Sequence, residues 1–426
     1  MASVESEERV PQVQNSVDED TNNNVEELNN KIKNTKTKKR NKNYFPRFGC
    51  FRIEHDDTGD GFDIQVVDAS GHSSNPTHLI VMVNGLIGSA ENWKYAAKQF
   101  LKRYPYDAIV HCSESNSSKL TFDGVDVTGD RLAEEVISVI KRHPSVQKIS
   151  FIAHSLGGLI ARYAIAKLYE RDISKELSQG NEHCESQISK QECHDRKYEG
   201  KIAGLEPINF ITSATPHLGC RGHKQVPLFC GFRSLEKTAS RLSWFLGKTG
   251  KHLFLTDGKN GKPPLLLQMV HDSEDIKFMS ALGSFKRRVA YANIRYDQMV
   301  GWSTSSIRHR NELPKRRHLK RHEKYPHIVN EETAKPTSVP EEVPIKSKVS
   351  CRSCKIDLEE EMIRGLTTLS WDRVDVSFSG SRQKYLAHNA IQVQTYSINS
   401  DGADVVQHMI DDFRVLMRVY VACMKL

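Results

Sequence analysis

The run Ala153-His154-Ser155-Leu156-Gly157-Gly158 sets a hydroxyl among small neighbours, a pattern suited to nucleophilic attack. An apolar stretch from Ile149 to Ile152 precedes it, and Leu159, Ile160, Tyr163 and Ala164 follow at helical spacing, so the segment reads as strand, sharp turn, helix. A serine at such a turn stands clear of its sheet, on a positive-φ backbone that leaves no room for side chains two residues away. Gly157 satisfies that demand, and Ala153 stands where glycine is usual, a departure of one methyl group. The N–H of Leu156 opens the following helix, where the helix dipole favours developing negative charge. It is one half of a candidate oxyanion hole.

A serine nucleophile needs a base, an acid and a second donor. The apolar strand His78 to Val83 ends in Asn84-Gly85-Leu86, where Gly85 allows close approach of backbone to substrate and Leu86 N–H is the second donor by position. Asn84 occupies the place of a more usual His. Asp297 lies just past the strand Arg288–Ile294, and its position downstream of Ser155 suits the acid in the order Ser, Asp, His. A loop Asp that caps a turn is the alternative to that role. Three histidines compete as base. His388 sits in the loop after the strand Trp371–Phe378, in the expected order. His408 falls within the apolar helical pattern Val405, Val406, Met409, Ile410 and Phe413, where a packed helix residue is the simpler reading. His217, in Ala214-Thr215-Pro216-His217-Leu218-Gly219, follows the strand Ile208–Ser213. That end of a parallel sheet would bring it near Ser155, although it precedes Asp297 and also suits a pocket wall or loop anchor.

These residues need a scaffold that alternates strand and helix. Strands at 62–67, 78–83 and 106–112, and an amphipathic helix from Gly129 to Arg142, precede the turn at Ser155. Further strands follow at 208–213 and 288–294, so the sheet is mainly parallel. A polar, Cys- and His-containing insertion is expected at 171–201 and an apolar, lid-like pair of helices at 220–267. Residues 1–46 run from acidic to Asn-rich to basic without apolar periodicity and read as a disordered tail, leaving 47–426 as the folded domain. The segment 306–365, crowded with Arg, Lys, His and Pro, reads as a mobile, basic insertion.

With 426 residues, 38% hydrophobic and 27% charged, the chain has material for one large domain with insertions or for two domains. A mean hydropathy of -0.54 reflects its polar segments. A formal charge of +8 suits an anionic surface, and the bunched cations of the insertion are the best contact for acidic lipid headgroups. No stacking aromatics interleave those charges, so nucleic-acid binding is not expected. The first residues lack a signal-peptide apolar stretch, and no apolar run reaches spanning length, so the expectation is a soluble cytoplasmic protein, peripheral on a membrane or lipid droplet. Nine scattered cysteines are not a disulfide framework. Cys351 and Cys354 with His183, Cys184, Cys193 and His194 have spacing too irregular for a zinc site, and Lys425 spoils a prenylation reading of Cys423. Neither a metal nor a cofactor is expected.

The segments Val83–Gly88, Ala153–Gly158, Ala214–Gly219 and His388–Ile391, with Asp404-Val405-Val406, resemble a serine esterase (lipase-like) family of the α/β-hydrolases that includes plant and fungal members. The similarity covers about residues 47–305 and 366–426. It implies an α/β-hydrolase fold, a mainly parallel sheet with helices on both faces, and a Ser155-Asp297-His388 hydrolase acting on acyl esters, lipids among them. A catalytically silent lipid-binding or scaffolding member of the same fold is the alternative, favoured by Ala153 and Asn84.

Overall fold

A computed structural model describes residues 50–55, 61–67, 75–173, 199–220, 246–259, 261–334 and 357–423. The tail at 1–46, most of the insertion at 171–201, the 221–245 half of the lid region and the cysteine and histidine residues weighed as zinc ligands lie outside them.

His78–Val83 is apolar throughout, which suits a strand covered on both faces. It forms the fully buried β3 near the middle of a nine-stranded sheet. Around it lie β1 (Cys50–His55), β2 (Phe62–Val67), β4 (Ala108–Cys112), β5 (Lys148–His154), β6 (Glu206–Ser213), β7 (Arg287–Asn293), β8 (Ile328–Glu332) and β9 (Asp372–Val376). The spatial order is β1-β2-β4-β3-β5-β6-β7-β9-β8. Pairing is parallel from β4 through β3, β5, β6 and β7 to β9. It is antiparallel at both margins, in β1/β2, β2/β4 and β8/β9. Helices return the chain between parallel strands, and this strand order with its central parallel run is the α/β-hydrolase fold.

Strand alternation sorts the core into two faces. Leu79, Val81 and Val83 of β3, with Ile149 and Phe151 of β5, pack under α2 (Val125–Arg142) and α3 (Gly157–Leu168). Ile80, Met82 and Ile152 point to the other side, against Phe100 and Leu101 of α1 (Lys94–Arg103) and Val405, Met409 and Phe413 of α11 (Ala403–Cys423). Each such side chain contributes about 1.5–3 kcal/mol by burial, so both helical layers are fixed to the sheet.

Two elements differ from the sequence reading. Helix α2 begins at Val125, not Gly129, because Gly124 turns at φ 102° and His252 Nδ1 accepts from the Val125 N–H at 3.0 Å. That cap comes from α4 (Gly247–Leu253), far along the chain, where no local pattern shows it. The segment 306–365 is not an excursion without core. Residues 335–356 lie outside the described part, but Ile328–Glu332 closes the sheet as β8, with Tyr325, Ile328 and Val329 buried. An open β9 edge invites pairing. Arg308 is buried too, donating to both Asp375 oxygens at 2.8 and 3.1 Å and to Glu332 at 2.9 Å. Asp375 also accepts from Trp302 Nε1 at 2.6 Å and Asn330 at 2.8 Å. Dense charge concealed these few apolar anchors. Among the described residues no helix is long and apolar enough to cross a membrane.

Removing one partner of a buried ion pair leaves the other uncompensated, so Arg308→Ala should destabilise the domain by about 3–5 kcal/mol. Urea unfolding measures this, and a loss below about 1 kcal/mol, typical of exposed pairs, would contradict it.

Candidate active site

Ser155 terminates β5 with φ 54°, the left-handed backbone expected of the turn. Its N–H donates to Ser213 O at 2.9 Å, so the turn stays locked to β6. The small neighbours are required by contact: a Cβ on Gly157 would lie 2.5 Å from the carbonyl oxygens of Val83 and Asn84, and one on Gly158 would lie 2.3 Å from Thr215 Oγ1. Ala153 is fully buried in β5, whose neighbours in the sheet are β3 and β6, and its methyl belongs to the core on the face of α2 and α3.

The Asn84–Leu86 loop reaches the same point from β3. A Cβ on Gly85 would lie 2.7 Å from Ser155 Cβ, so only glycine lets the two loops touch. Asn84 donates to Asn116 O at 3.1 Å, an anchor that explains its place in the loop. The next turn is held by Ile87 N–H, which donates to Thr121 Oγ1 at 3.0 Å. Among the described residues, the N–H groups of Leu86 and Leu156 donate to no protein acceptor.

Beyond β7, Asp297 is buried and clamped. Its Oδ1 accepts from the N–H of Met299 and Val300 at 2.9 and 2.8 Å, and its Oδ2 from Asn293 Nδ2 at 2.9 Å. Burial works against its charge, but the adjacent His388 and these donors prevail and hold its carboxyl below the usual range. After β9, the single-turn helix α9 (Ala387–Ala390) presents His388. His388 Nδ1 lies 3.0 and 3.1 Å from the Asp297 oxygens, and Nε2 lies 3.0 Å from Ser155 Oγ. With Nδ1–H given to the carboxylate, Nε2 is left to accept the serine proton.

His408 and His217 are elsewhere. His408 Nδ1 is 2.8 Å from Tyr291 OH and its Nε2 is 3.4 Å from Glu331. The fully buried His217 bonds Thr212 Oγ1 at 3.0 Å and meets Trp371 edge-on, while its carbonyl accepts from Arg162 at 3.4 Å. These contacts are those of a loop anchor, one of the readings open for it, and the place of the base beside Ser155 is filled by His388.

Two supports escaped the sequence reading. Asn293 ties Asp297 to Ala387 O, at 3.1 Å, and so couples the acid's loop to the helix of His388. His154 Nε2–H donates to the His388 carbonyl at 2.7 Å, its ring 4.6 Å from the His388 ring. A His directly before the serine was the only available signal for it. Among the described residues, no group of three or more His, Cys, Asp or Glu could hold a metal.

The family described as "Putative serine esterase (DUF676)" matches residues 73–307, over half of the chain. The chain belongs to this family. The Saccharomyces cerevisiae protein "Putative lipase ROG1" is 32% identical over 54% of this chain and 28% of its own length. "Putative lipase YDL109C" of the same yeast is 28% identical over 58% of this chain and 32% of its own. The chain thus spans about a third or less of these relatives. A solved esterase from Thermogutta terrifontis aligns with 87% of this chain and 93% of its own at 13% identity, TM-score 0.38. The serine esterase family's matched segment ends at 307, so Ser155 and Asp297 fall inside it and His388 beyond.

Burial depresses the His154 imidazole to about 3, with repulsion from His388 adding to it, and burial likewise takes His78 to about 3. Their folded values lie below the unfolded value near 6.5, so the unfolded chain takes up protons first. Stability is present above that value and should fall as pH drops from about 6.5 towards 3, by up to about 1.4 kcal/mol per unit per group. Urea unfolding between pH 7 and 4 tests this. His154→Phe should flatten the acid slope, and an unchanged slope would contradict it.

Proposed function

We propose that this chain hydrolyses carboxylic acyl esters, lipids in particular, through an acyl-enzyme at Ser155. What carries the reading is one imidazole within 3.0 Å of Ser155 Oγ on one side and of Asp297 on the other. Ser155 Oγ attacks the ester carbonyl as His388 Nε2 takes its proton, and Asp297 stabilises the imidazolium. The oxyanion is held by the N–H groups of Leu86 and Leu156, each worth about 3–4 kcal/mol in the transition state. His388 then protonates the leaving alcohol, and water activated by the same base releases the acid. The lipid assignment is supported by the exposed Ile87, Tyr385, Leu386, Tyr396 and Ile398 on the chain segments that bear Leu86 and His388.

Turnover of p-nitrophenyl esters and phospholipids is the test. Ser155→Ala should lower kcat by roughly 10⁴-fold or more. His388→Ala should do the same while His408→Ala stays within several-fold. Absence of turnover in folded wild-type protein would replace this reading by the silent lipid-binding one. Full activity of folded His388→Ala would overturn the choice of base.

An anionic membrane is the proposed partner. Lys315, Arg316, Arg317, Lys320 and Arg321 are exposed between α7 (Trp302–Ser306) and β8, whereas Arg308 is buried and excluded from this role. Each basic group near a charged surface adds about 1 kcal/mol. Changing Lys315, Arg316, Arg317 and Lys320 to Gln should therefore weaken sedimentation with phosphatidylserine vesicles, and salt should weaken it in the wild type. Equal sedimentation of both proteins would leave the segment as a solvated loop.

A further inference from the structure

A second hydroxyl, imidazole and carboxylate are aligned away from Ser155. His327, just before β8, has Nδ1 2.8 Å from Asp404 Oδ1, and its Nε2 lies 3.1 Å from Ser381 Oγ. Asp404, in the first turn of α11, also accepts from the His327 backbone N–H at 2.8 Å, so one carboxylate holds the residue at two points. The ring is stacked on Phe378 at 4.8 Å between centroids, and Ser377 N–H donates to His327 O at 2.8 Å. These contacts fix ring and tautomer: Nδ1–H goes to Asp404, and Nε2 is left to accept from the Ser381 hydroxyl.

Ser381 and His327 line a cavity of about 420 Å³, bordered also by Arg321, Arg382, Gly380 and Asp401. Gly380 makes room for one guanidinium, because a Cβ there would come within 2.7 Å of Arg321 Nη2. A hydroxyl with an oriented base thus faces a ligand-sized space with two cations on its wall, and both arginines are suited to an oxyanion or an anionic acyl compound. The cluster has no residue in common with the Ser155 arrangement.

We propose that Ser381 is a second ester-reactive serine, with His327 as its base and Asp404 as the positioning residue, for small anionic acyl esters held by Arg321 and Arg382. A bond forms from Ser381 Oγ to the carbonyl carbon, the hydroxyl proton passes to His327 Nε2, and the ester C–O bond breaks as that proton goes to the leaving alcohol. Water then cleaves the acyl-serine with the same base. Ser381 N–H is given to Phe378 O at 2.9 Å, as Ser155 N–H is given to Ser213 O, so neither serine's own amide serves the oxyanion. Helix α3 begins two residues after Ser155 and turns the Leu156 N–H to the oxyanion, whereas no α-helix begins within five residues of Ser381, so the reaction should be slower there by about 10²–10³-fold, the effect of one missing donor.

The experiment uses the 426-residue chain carrying Ser155→Ala and a fluorophosphonate, which transfers phosphorus to the serine oxygen with loss of fluoride. Peptide mass mapping should find the adduct on Ser381, and succinate monoesters should slow its appearance. Adding His327→Ala should abolish labelling, and Asp404→Asn should slow it at least tenfold, with circular dichroism establishing the fold of each. Ser381 left unlabelled in folded Ser155→Ala protein, after a thousandfold longer exposure than saturates wild-type Ser155, would overturn the proposal. So would labelling of Ser381 at an unchanged rate in folded His327→Ala.

Discussion

One imidazole, held 3.0 Å from both Ser155 and Asp297, is the contact on which the rest of the molecule converges. Each of the three residues follows a different strand, β5, β7 and β9, and none is near another in sequence. A parallel sheet solves this geometric problem by bringing successive C-terminal strand ends to one edge, where loops can meet. The buried faces above and below make that edge rigid, because neither helical layer can shift without exposing its half of the core.

Close approach imposes the next constraint. Gly85, Gly157 and Gly158 each leave less than van der Waals room for a methyl group, and all three abut the turn at Ser155. The turn adopts positive φ, as do Ile87 and Ala214 on neighbouring loops. Such backbone costs about 1–3 kcal/mol per residue and persists only where surrounding contacts over-determine it. Here those contacts include Ser155 N–H to Ser213 O and Ile87 N–H to Thr121 Oγ1.

How much of this could be read beforehand depends on how local the physics is. The turn at Ser155 was legible because strand, small residues and helix follow one another within a few positions. Asp297 and His388 could be selected by order along the chain, since strand ends recur where hydrophobic runs stop. The apolar neighbours of His408 at helical spacing implied packing against the core, and its ring meets Tyr291 and Glu331. Cross-chain partners left no such trace: His154 with the His388 carbonyl, Asn293 with Ala387 O, Arg308 with Asp375. For His217 the strand end left base, pocket wall and loop anchor open, and only the contacts with Thr212, Trp371 and Arg162 single out the anchor. In 306–365 composition outweighed a handful of buried residues, and a sheet edge was hidden by the charges around it.

In the proposed reaction Ser155 becomes covalently acylated through His388. Rapid quenching of wild-type protein during turnover of an activated acyl ester, followed by peptide mass analysis, tests it most directly. An acyl group on Ser155, formed together with an initial burst of alcohol, is the expected result. Steady turnover with neither burst nor acyl-Ser155, or an acyl group confined to another residue, would contradict it.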